Sequence, residues 1–325
     1  MNAFRFSDIS TGLELQTVPI PEPSPSEALI RVEAAGLCHS DTHVLHGGGA
    51  AWMRKLPITL GHEIAGTITK LGGPSTFNIG DRVAVACIGH PVETRDFNKA
   101  PGVGCDGGYA QYVVAPLENL VMIPDGVSFA QAAVATDSVA TAYHAVVSEG
   151  GVRPSSTVAI IGLGGLGLNG VAIAAAEGAR VYGIDINESK FEHARSVGAI
   201  SCATDISLLS SYAFDVIIDF AGAQATVEAA VAAVRPGGTV VLVGLASEKV
   251  TFTTTELVTK NIALRGSTSA SVQELQEVLQ LIAKGVLRPQ MEQLPFNDIP
   301  GALERLGTNE VEGRLYVMPN AVFDL

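Results

Sequence analysis

A chain of 325 residues, 47% hydrophobic and 16% charged, has the make-up of a filled globular protein of one or two domains, not of a disordered or fibrous one. A net charge of −13, with no basic run to interrupt it, argues against nucleic acid or an anionic membrane as partner. The four cysteines, at 38, 87, 105 and 202, lack the paired spacing of a disulfide framework, and the first residues lack the apolar core of a signal peptide, so a reduced, cytoplasmic protein is expected.

In chain order, the first 125 residues read as strands and turns. Glu27–Ala34, Ile64–Leu71, Asp81–Ala86 and Gly108–Ala115 are rich in strand formers, and Pro-Gly-Ser turns separate them. This predicts a barrel-like β unit. Within it lie two dense polar clusters, Gly36-Leu37-Cys38-His39-Ser40-Asp41-Thr42-His43 and Leu60-Gly61-His62-Glu63. A thiolate and an imidazole suit a borderline-soft ion such as zinc. Their separation is not a finger pattern, so the fold must bring the halves together. Carboxylates beside both clusters point to a catalytic site more than a structural one.

The texture changes near Ser128. Ala130 to Val147 is Ala-rich and predicts one helix. Strand and helix signals then alternate: Thr157–Ile161, helix Leu166–Glu177, Arg180–Ile184, helix Ser189–Val197, Phe214–Asp219, helix Ala223–Val234, Thr239–Val243 and Ile262–Arg265. Continuous apolar strands alternating with helices predict a parallel, doubly wound sheet. The long apolar stretch Val158 to Ala176 is patterned with glycines and reads as a strand entering a helix rather than a membrane span. From about Ser269 one helix, Val272–Lys284, and one strand, Arg314–Val317, are expected to return to the first unit.

Gly162-Leu163-Gly164-Gly165-Leu166-Gly167 is a G-x-G-x-x-G run between a strand and a helix, where a dinucleotide pyrophosphate sits. Gly162 permits the turn, Gly164 the approach of backbone to phosphate, and Gly167 the packing of helix on sheet. Asp185 ends the next strand, 18 residues after Gly167. A carboxylate there accepts ribose hydroxyls and repels a 2′-phosphate, which favours NAD over NADP; Lys190 follows a turn later.

Taken together, Gly36–Asp41, Gly61-His62-Glu63, Gly80-Asp81-Arg82-Val83, Gly107-Gly108-Tyr109-Ala110, Gly162–Gly167 and Gly313-Arg314, in that order, make the chain resemble the zinc-dependent alcohol dehydrogenases of the medium-chain dehydrogenase/reductase family. The resemblance spans nearly the whole length. It implies an α/β protein: a GroES-like β-barrel catalytic domain (1–138 and 269–325) and a Rossmann NAD-binding domain (139–268). It also implies one catalytic zinc and reversible hydride transfer between an alcohol and an aldehyde or ketone. Cys38 and His62 match two zinc ligands. Ser40 matches the hydroxyl on the substrate oxygen, and His43 the outer end of a proton relay. Asp41 resembles the carboxylate that orients the liganding imidazole, and Glu63 the glutamate that can approach the metal during ligand exchange. His39 and Arg314 resemble pyrophosphate contacts; Gly165 and Leu166 belong to the phosphate turn.

Two departures stand out. The third ligand, often a cysteine, falls on Asp137, which is either a harder zinc ligand or, without metal, a helix cap or ion-pair partner. The stretch from Cys87 to Cys105 has only two cysteines and His90 where a structural zinc needs four cysteines, so no structural zinc is expected and Cys87, Cys105 and Cys202 read as unliganded thiols. Trp52, between the ligand clusters, either narrows the substrate pocket or packs on the barrel. Two other readings remain at this point: a zinc-free reductase of activated C=C bonds, and a non-catalytic NAD binder. The family implies a homodimer or homotetramer, with the strand near Ile262–Gly266 as the joining edge.

Overall fold

The computed structural model describes residues 1–48, 53, 55–88, 96–308 and 310–321. Trp52 and His90 lie outside the described residues. The chain forms two compact units, Met1–Ala140 with Ser269–Leu325, and Thr141–Thr268.

In the first unit, β1 (Asn2–Phe6) and β2 (Leu13–Thr17) form an antiparallel hairpin. β3 (Glu27–Leu37) is the spine of the larger sheet, and α1 (His39–Leu45) follows it directly. β4 (Ile58–Thr59) adds to β1. β5 (Glu63–Leu71), β6 (Arg82–Val85), β7 (Tyr112–Pro116) and β8 (Leu120–Met122) complete the antiparallel part of the larger sheet. Strict alternation is not kept along β3: its C-terminal half is buried almost continuously. Its register against β5 shifts twice, between Leu29 and Ile30 and between Val32 and Ala34. Each shift changes which face a side chain takes, so small residues such as Ala34, Ala35 and Gly36 are enclosed on both sides.

α2 (Phe129–Val134) starts with a reciprocal cap: the Ser128 amide donates to Gln131 Oε1 at 2.9 Å and the Gln131 amide to Ser128 Oγ at 3.2 Å. The expected single helix from Ala130 to Val147 is not continuous. It widens into a π-helical stretch, Ala135–Val139, returns to α3 (Ala140–Tyr143), and widens again over His144–Glu149. Alanine-rich composition favours helix in general but carries no signal for where an extra residue is inserted into a turn.

The second unit is a six-stranded, all-parallel sheet. It comprises β9 (Thr157–Ile161), α4 (Gly165–Ala176), β10 (Arg180–Ile184), α5 (Phe191–Ser196), β11 (Ala199–Ala203), β12 (Phe214–Asp219), α6 (Gln224–Ala233), β13 (Val234–Leu242), α7 (Thr254–Thr259) and β14 (Ala263–Gly266). The order β11-β10-β9-β12-β13-β14 reverses direction between β9 and β12. That switch point is where open α/β sheets leave a crevice at the strand ends. β11 was not anticipated; its polar Ser201 and Cys202 interrupt the apolar run that marks the other strands.

The chain then returns to the first unit through α8 (Val272–Ala283), β15 (Met291–Leu294), α9 (Ile299–Gly307) and β16 (Arg314–Val317). β16 pairs antiparallel with β3, Leu315 opposite Leu37 and Tyr316 opposite Gly36. α9 escaped the sequence reading because Ile299-Pro300-Gly301 looks like a turn. A proline in the first turn of a helix is compatible with it, and Ile299, Ala302, Leu303 and Leu306 form its buried stripe. The barrel core gathers Phe6, Leu37, Ile64, Ile68, Val85 and Leu315. Among the described residues no helix is long and apolar enough to cross a membrane.

Candidate metal centre and nucleotide turn

Three neighbouring strands of the first unit bring the candidate metal-binding residues and Arg314 together. Cys38 immediately follows β3, His62 immediately precedes β5, and Arg314 opens β16, with β3 in the middle. Asp137 comes from the π-helical stretch. One donor atom from each of Cys38, His62, Glu63 and Asp137 lies within 4.8 Å of the others, and this is the metal-competent group found among the described residues.

Asp137 Oδ2 is 3.4 Å from Cys38 Sγ and 3.6 Å from His62 Nε2. For a tetrahedral zinc ion with sulfur at about 2.3 Å and nitrogen and oxygen at about 2.0 Å, the S···O edge is about 3.5 Å and the N···O edge about 3.3 Å. The two edges that meet at Asp137 Oδ2 therefore already have about the lengths such an ion requires. His62 Nδ1 faces Asp41 Oδ1 at 3.5 Å, which leaves Nε2 as the nitrogen turned toward the other donors. Asp41 is fixed in turn: its Oδ2 accepts from the Cys38 amide at 3.2 Å and from the Tyr109 hydroxyl at 2.7 Å. Ser40 Oγ lies 3.1 Å from Cys38 Sγ and 3.3 Å from His62 Nε2, so its hydroxyl is part of the cluster. His43 is one turn further along α1, exposed, with its ring against Gly48. His39, the first residue of α1, is also exposed.

The electrostatics of the cluster favour a cation. Burial alone would depress the His62 imidazole, but Asp41, Cys38 and Asp137 outweigh it and hold its pKa well above the ordinary value. A pocket that favours a proton this strongly favours a divalent cation for the same reason. Burial raises Glu63 to about 7 against the opposing pull of Arg314. Burial, then Asp41, pushes the Tyr109 phenol well up, so it stays a donor. The Cys87 thiol is pushed by burial to about 12 and Cys105 to about 11, which keeps both as neutral thiols; all four cysteines are free.

Sequence reasoning missed two contributors. Tyr109 was only part of a Gly-Gly-Tyr-Ala motif; it is fully buried, and its ring packs so tightly on Gly61 (φ +89°) that a Cβ there would lie 2.5 Å from it. Arg314 was assigned to a pyrophosphate. The structure gives it other partners: its guanidinium is buried and bonds both Glu63 oxygens, and Nη2 also reaches Asp137 Oδ2 at 3.1 Å. The buried Glu63 carboxylate and the partly buried Asp137 outcompete solvent for the guanidinium beside them. Only the pairing of β16 with β3, across more than 270 residues of chain, makes that meeting visible.

In the second unit the glycine turn has the expected form. Gly162 has φ +85°, and a Cβ on Gly167 would lie 1.7 Å from the Gly162 carbonyl oxygen. Gly164 precedes α4 as its cap, has no side-chain partner for the helix amides, and has open space where a Cβ would stand. Open backbone at the positive end of a helix suits a phosphate. Gly165 and Leu166 are the first residues of that helix. Asp185 accepts from the Leu163 amide at 2.7 Å, the Asn187 amide at 2.9 Å and Lys190 Nζ at 3.0 Å. It ties the glycine turn to the end of β10, and Lys190 is held on it.

Comparison with known proteins agrees with this geometry. The alcohol dehydrogenase GroES-like domain family matches residues 24–125, and the zinc-binding dehydrogenase family matches residues 165–284. An alcohol dehydrogenase of Geobacillus stearothermophilus is 31% identical over 97% of this chain and 98% of its own. Acetophenone reductase from Geotrichum candidum, solved in complex with NAD, superposes with a TM-score of 0.90 at 34% identity, covering 99% of this chain and 98% of that one. A cobalt- and zinc-bound thermostable alcohol dehydrogenase from Pyrobaculum aerophilum superposes with a TM-score of 0.88 at 27% identity, covering 98% of this chain and 99% of that one.

Proposed function

This chain belongs to the zinc-type alcohol dehydrogenases of the medium-chain dehydrogenase/reductase family, and from that premise we propose how its own residues carry the reaction. It is an NAD(P)-dependent alcohol dehydrogenase or carbonyl reductase, interconverting small alcohols with aldehydes or ketones. We assign one zinc ion per chain to Cys38, His62 and Asp137. A bound zinc ion supplies Lewis-acid polarisation of the substrate oxygen, and the nicotinamide supplies hydride exchange.

The rest falls to the chain. Asp41, braced by Tyr109 and the Cys38 amide, keeps the proton of His62 on Nδ1 and so keeps Nε2 available as a ligand. Ser40 Oγ, beside Cys38 Sγ and His62 Nε2, takes the proton from an alcohol oxygen or returns one to a carbonyl oxygen. His43, exposed on the same helix three residues on, exchanges that proton with water. Gly162, Gly164, Gly165, Leu166 and Gly167 hold the pyrophosphate, with His39 as a further polar contact. Asp185, with Lys190, holds the adenosine ribose and favours NAD over NADP. The chain assembles as a homodimer or homotetramer through β14, the edge strand of the parallel sheet. The four free cysteines support a reduced, cytoplasmic setting.

The observation that carries this reading is the spacing of sulfur, nitrogen and carboxylate oxygen at the edges of a zinc tetrahedron. Metal analysis of the purified protein, with NADH and NADPH turnover on a panel of aldehydes and ketones, tests it. The expected result is about one zinc per chain and faster turnover with NADH. Turnover of activated alkenes by a metal-free protein would return the zinc-free reductase reading, and tight NADH binding with no turnover the non-catalytic one.

A further inference from the structure

Asp219 closes β12, the strand at which the order of the parallel sheet reverses. It stands level with Ile161 of β9 and Leu242 of β13, so it lies beside the start of the glycine turn. The loops after these three strands touch through backbone. The Phe220 amide donates to the Ile161 carbonyl at 2.8 Å, and a Cβ on Gly162 would come within 3.1 Å of the Ala221 nitrogen. The Val243 and Gly244 amides donate to the Asp219 carbonyl at 2.9 and 3.1 Å. A doubly wound sheet holds a dinucleotide across this switch point, one nucleotide on each half. The adenosine half belongs with Asp185 at the end of β10, which leaves the β12–β14 half for the nicotinamide.

The Asp219 carboxylate is fully buried. Its Oδ1 accepts from the Ala221 and Gly222 amides at 2.8 and 2.9 Å, and its Oδ2 from the Thr226 hydroxyl at 2.7 Å. All three donors are neutral, and burial pushes the pKa up against them. The other buried carboxylate of this unit, Asp185, carries Lys190 at 3.0 Å. Hydrogen bonding does not call for a charge at Asp219. An asparagine would keep its oxygen on both amides and give its NH₂ to Thr226 Oγ1, whose own proton would turn to the Ala223 carbonyl, 3.0 Å away. A buried charge is more costly than such an amide. What the carboxylate adds over the amide is its field.

We propose that Asp219 is a fixed negative charge beneath the nicotinamide half of the crevice, and that it biases the protein toward the oxidised, positively charged form of its coenzyme over the reduced form. The proposal rests on the nicotinamide-coenzyme reading above. Asp219 is enclosed by protein and does not touch the coenzyme; it acts through its charge alone. Because the oxidised ring carries one positive charge more than the reduced ring, this bias favours carbonyl reduction over alcohol oxidation on the protein.

The test measures dissociation constants on the full chain at about pH 8, where a moderately raised carboxyl is still ionised. The ligands are the oxidised and reduced forms of whichever coenzyme the parent binds more tightly, and ADP-ribose, which lacks the nicotinamide ring. In Asp219→Asn the oxidised form should weaken about three- to tenfold relative to the reduced form, while ADP-ribose stays within about twofold of the parent. Where Asp219→Asn does not fold, Thr226→Lys decides: position 226 is half-buried, so a lysine there sets an ammonium beside the intact carboxylate and moves the ratio the same way. An unchanged ratio in the folded variant refutes the bias. Equal weakening of all three ligands would mean that Asp219 only shapes the loops, and overturns it as well. A parent protein that binds no nicotinamide coenzyme refutes the coenzyme reading itself, and the bias falls with it.

Discussion

Replacing Asp41 by asparagine changes no volume and removes one charge, so its effect can be worked out from the three contacts Asp41 makes. As an ionised carboxylate it offers acceptors only. One oxygen takes the Cys38 amide and the Tyr109 hydroxyl, and the other faces His62 Nδ1. An asparagine keeps one oxygen. If that oxygen stays on Cys38 and Tyr109, the new NH₂ group meets Nδ1–H, donor against donor. The imidazole then moves its proton to Nε2, the nitrogen that must be bare to bind metal. If the amide turns over, two buried donors lose their acceptor instead. Either arrangement leaves a buried group unsatisfied, at about 1–3 kcal/mol. Spent on the tautomer, that energy weakens metal affinity by about 10- to 100-fold. Chelator competition on folded Asp41→Asn, beside urea unfolding of the metal-free protein, measures both terms. Tyr109→Phe serves as the comparison: it removes one hydroxyl but leaves the charge facing His62, so it costs about 1 kcal/mol in unfolding and less than about tenfold in metal. Zinc retention in Asp41→Asn within about threefold of the parent would show that packing alone orients His62, and the reasoning would fail.

Asp137→Cys replaces a hard donor by a soft one of the same charge, and zinc loss to a chelator should slow by at least about tenfold. Ser40→Ala should lower kcat by about 10²-fold or more while metal content stays at the parent level; unchanged turnover would remove Ser40 from the proton path. His43→Gln should slow turnover by a smaller factor that added imidazole buffer restores, since an exposed base can be replaced from solution. In the nucleotide unit, burial works to raise the Asp215 carboxyl, but the Thr157 amide and Arg235, each at 2.7 Å, outweigh it and lower the pKa from 3.8. A carboxyl with a lowered folded pKa stabilises above its unfolded pKa, and the contribution is lost as pH falls through the folded value. Asp215→Asn should therefore unfold about 1–2 kcal/mol more easily at pH 7, with the difference closing in pH-dependent urea melts as pH falls through the lowered pKa of the folded state.

The candidate metal-binding residues were legible because thiol, imidazole and carboxylate carry chemistry that other residues at those positions would not. Cys38, His62 and Asp137 do converge, and the Gly162–Gly167 turn sits between a strand and a helix as its spacing requires. The parallel sheet was legible too, since strands such as Thr157–Ile161, buried at every position, must be almost wholly apolar, here from Val158 onward. What stayed hidden depends on contacts between distant segments. Nothing near Tyr109 in the chain announces Asp41, and nothing near Arg314 announces Glu63. The π-helical stretch carrying Asp137 lies within an alanine-rich segment, and its Thr136, Asp137 and Ser138 carry no signal of an inserted turn. α9 was concealed by a proline whose meaning depends on whether it opens a helix or breaks one.

The insertion of Thr141–Thr268 within the first unit has a consequence for biosynthesis. Cys38 and His62 leave the ribosome early, but Arg314 is made only after the whole nucleotide unit, and β16 must still add to β3. The contiguous nucleotide unit can mature while the barrel is still missing its last strand. A nascent chain truncated before Arg314 would leave β3 as an open sheet edge and Glu63, on the neighbouring strand, without the guanidinium that pairs it in the complete chain, a species for quality control to remove rather than a partial enzyme.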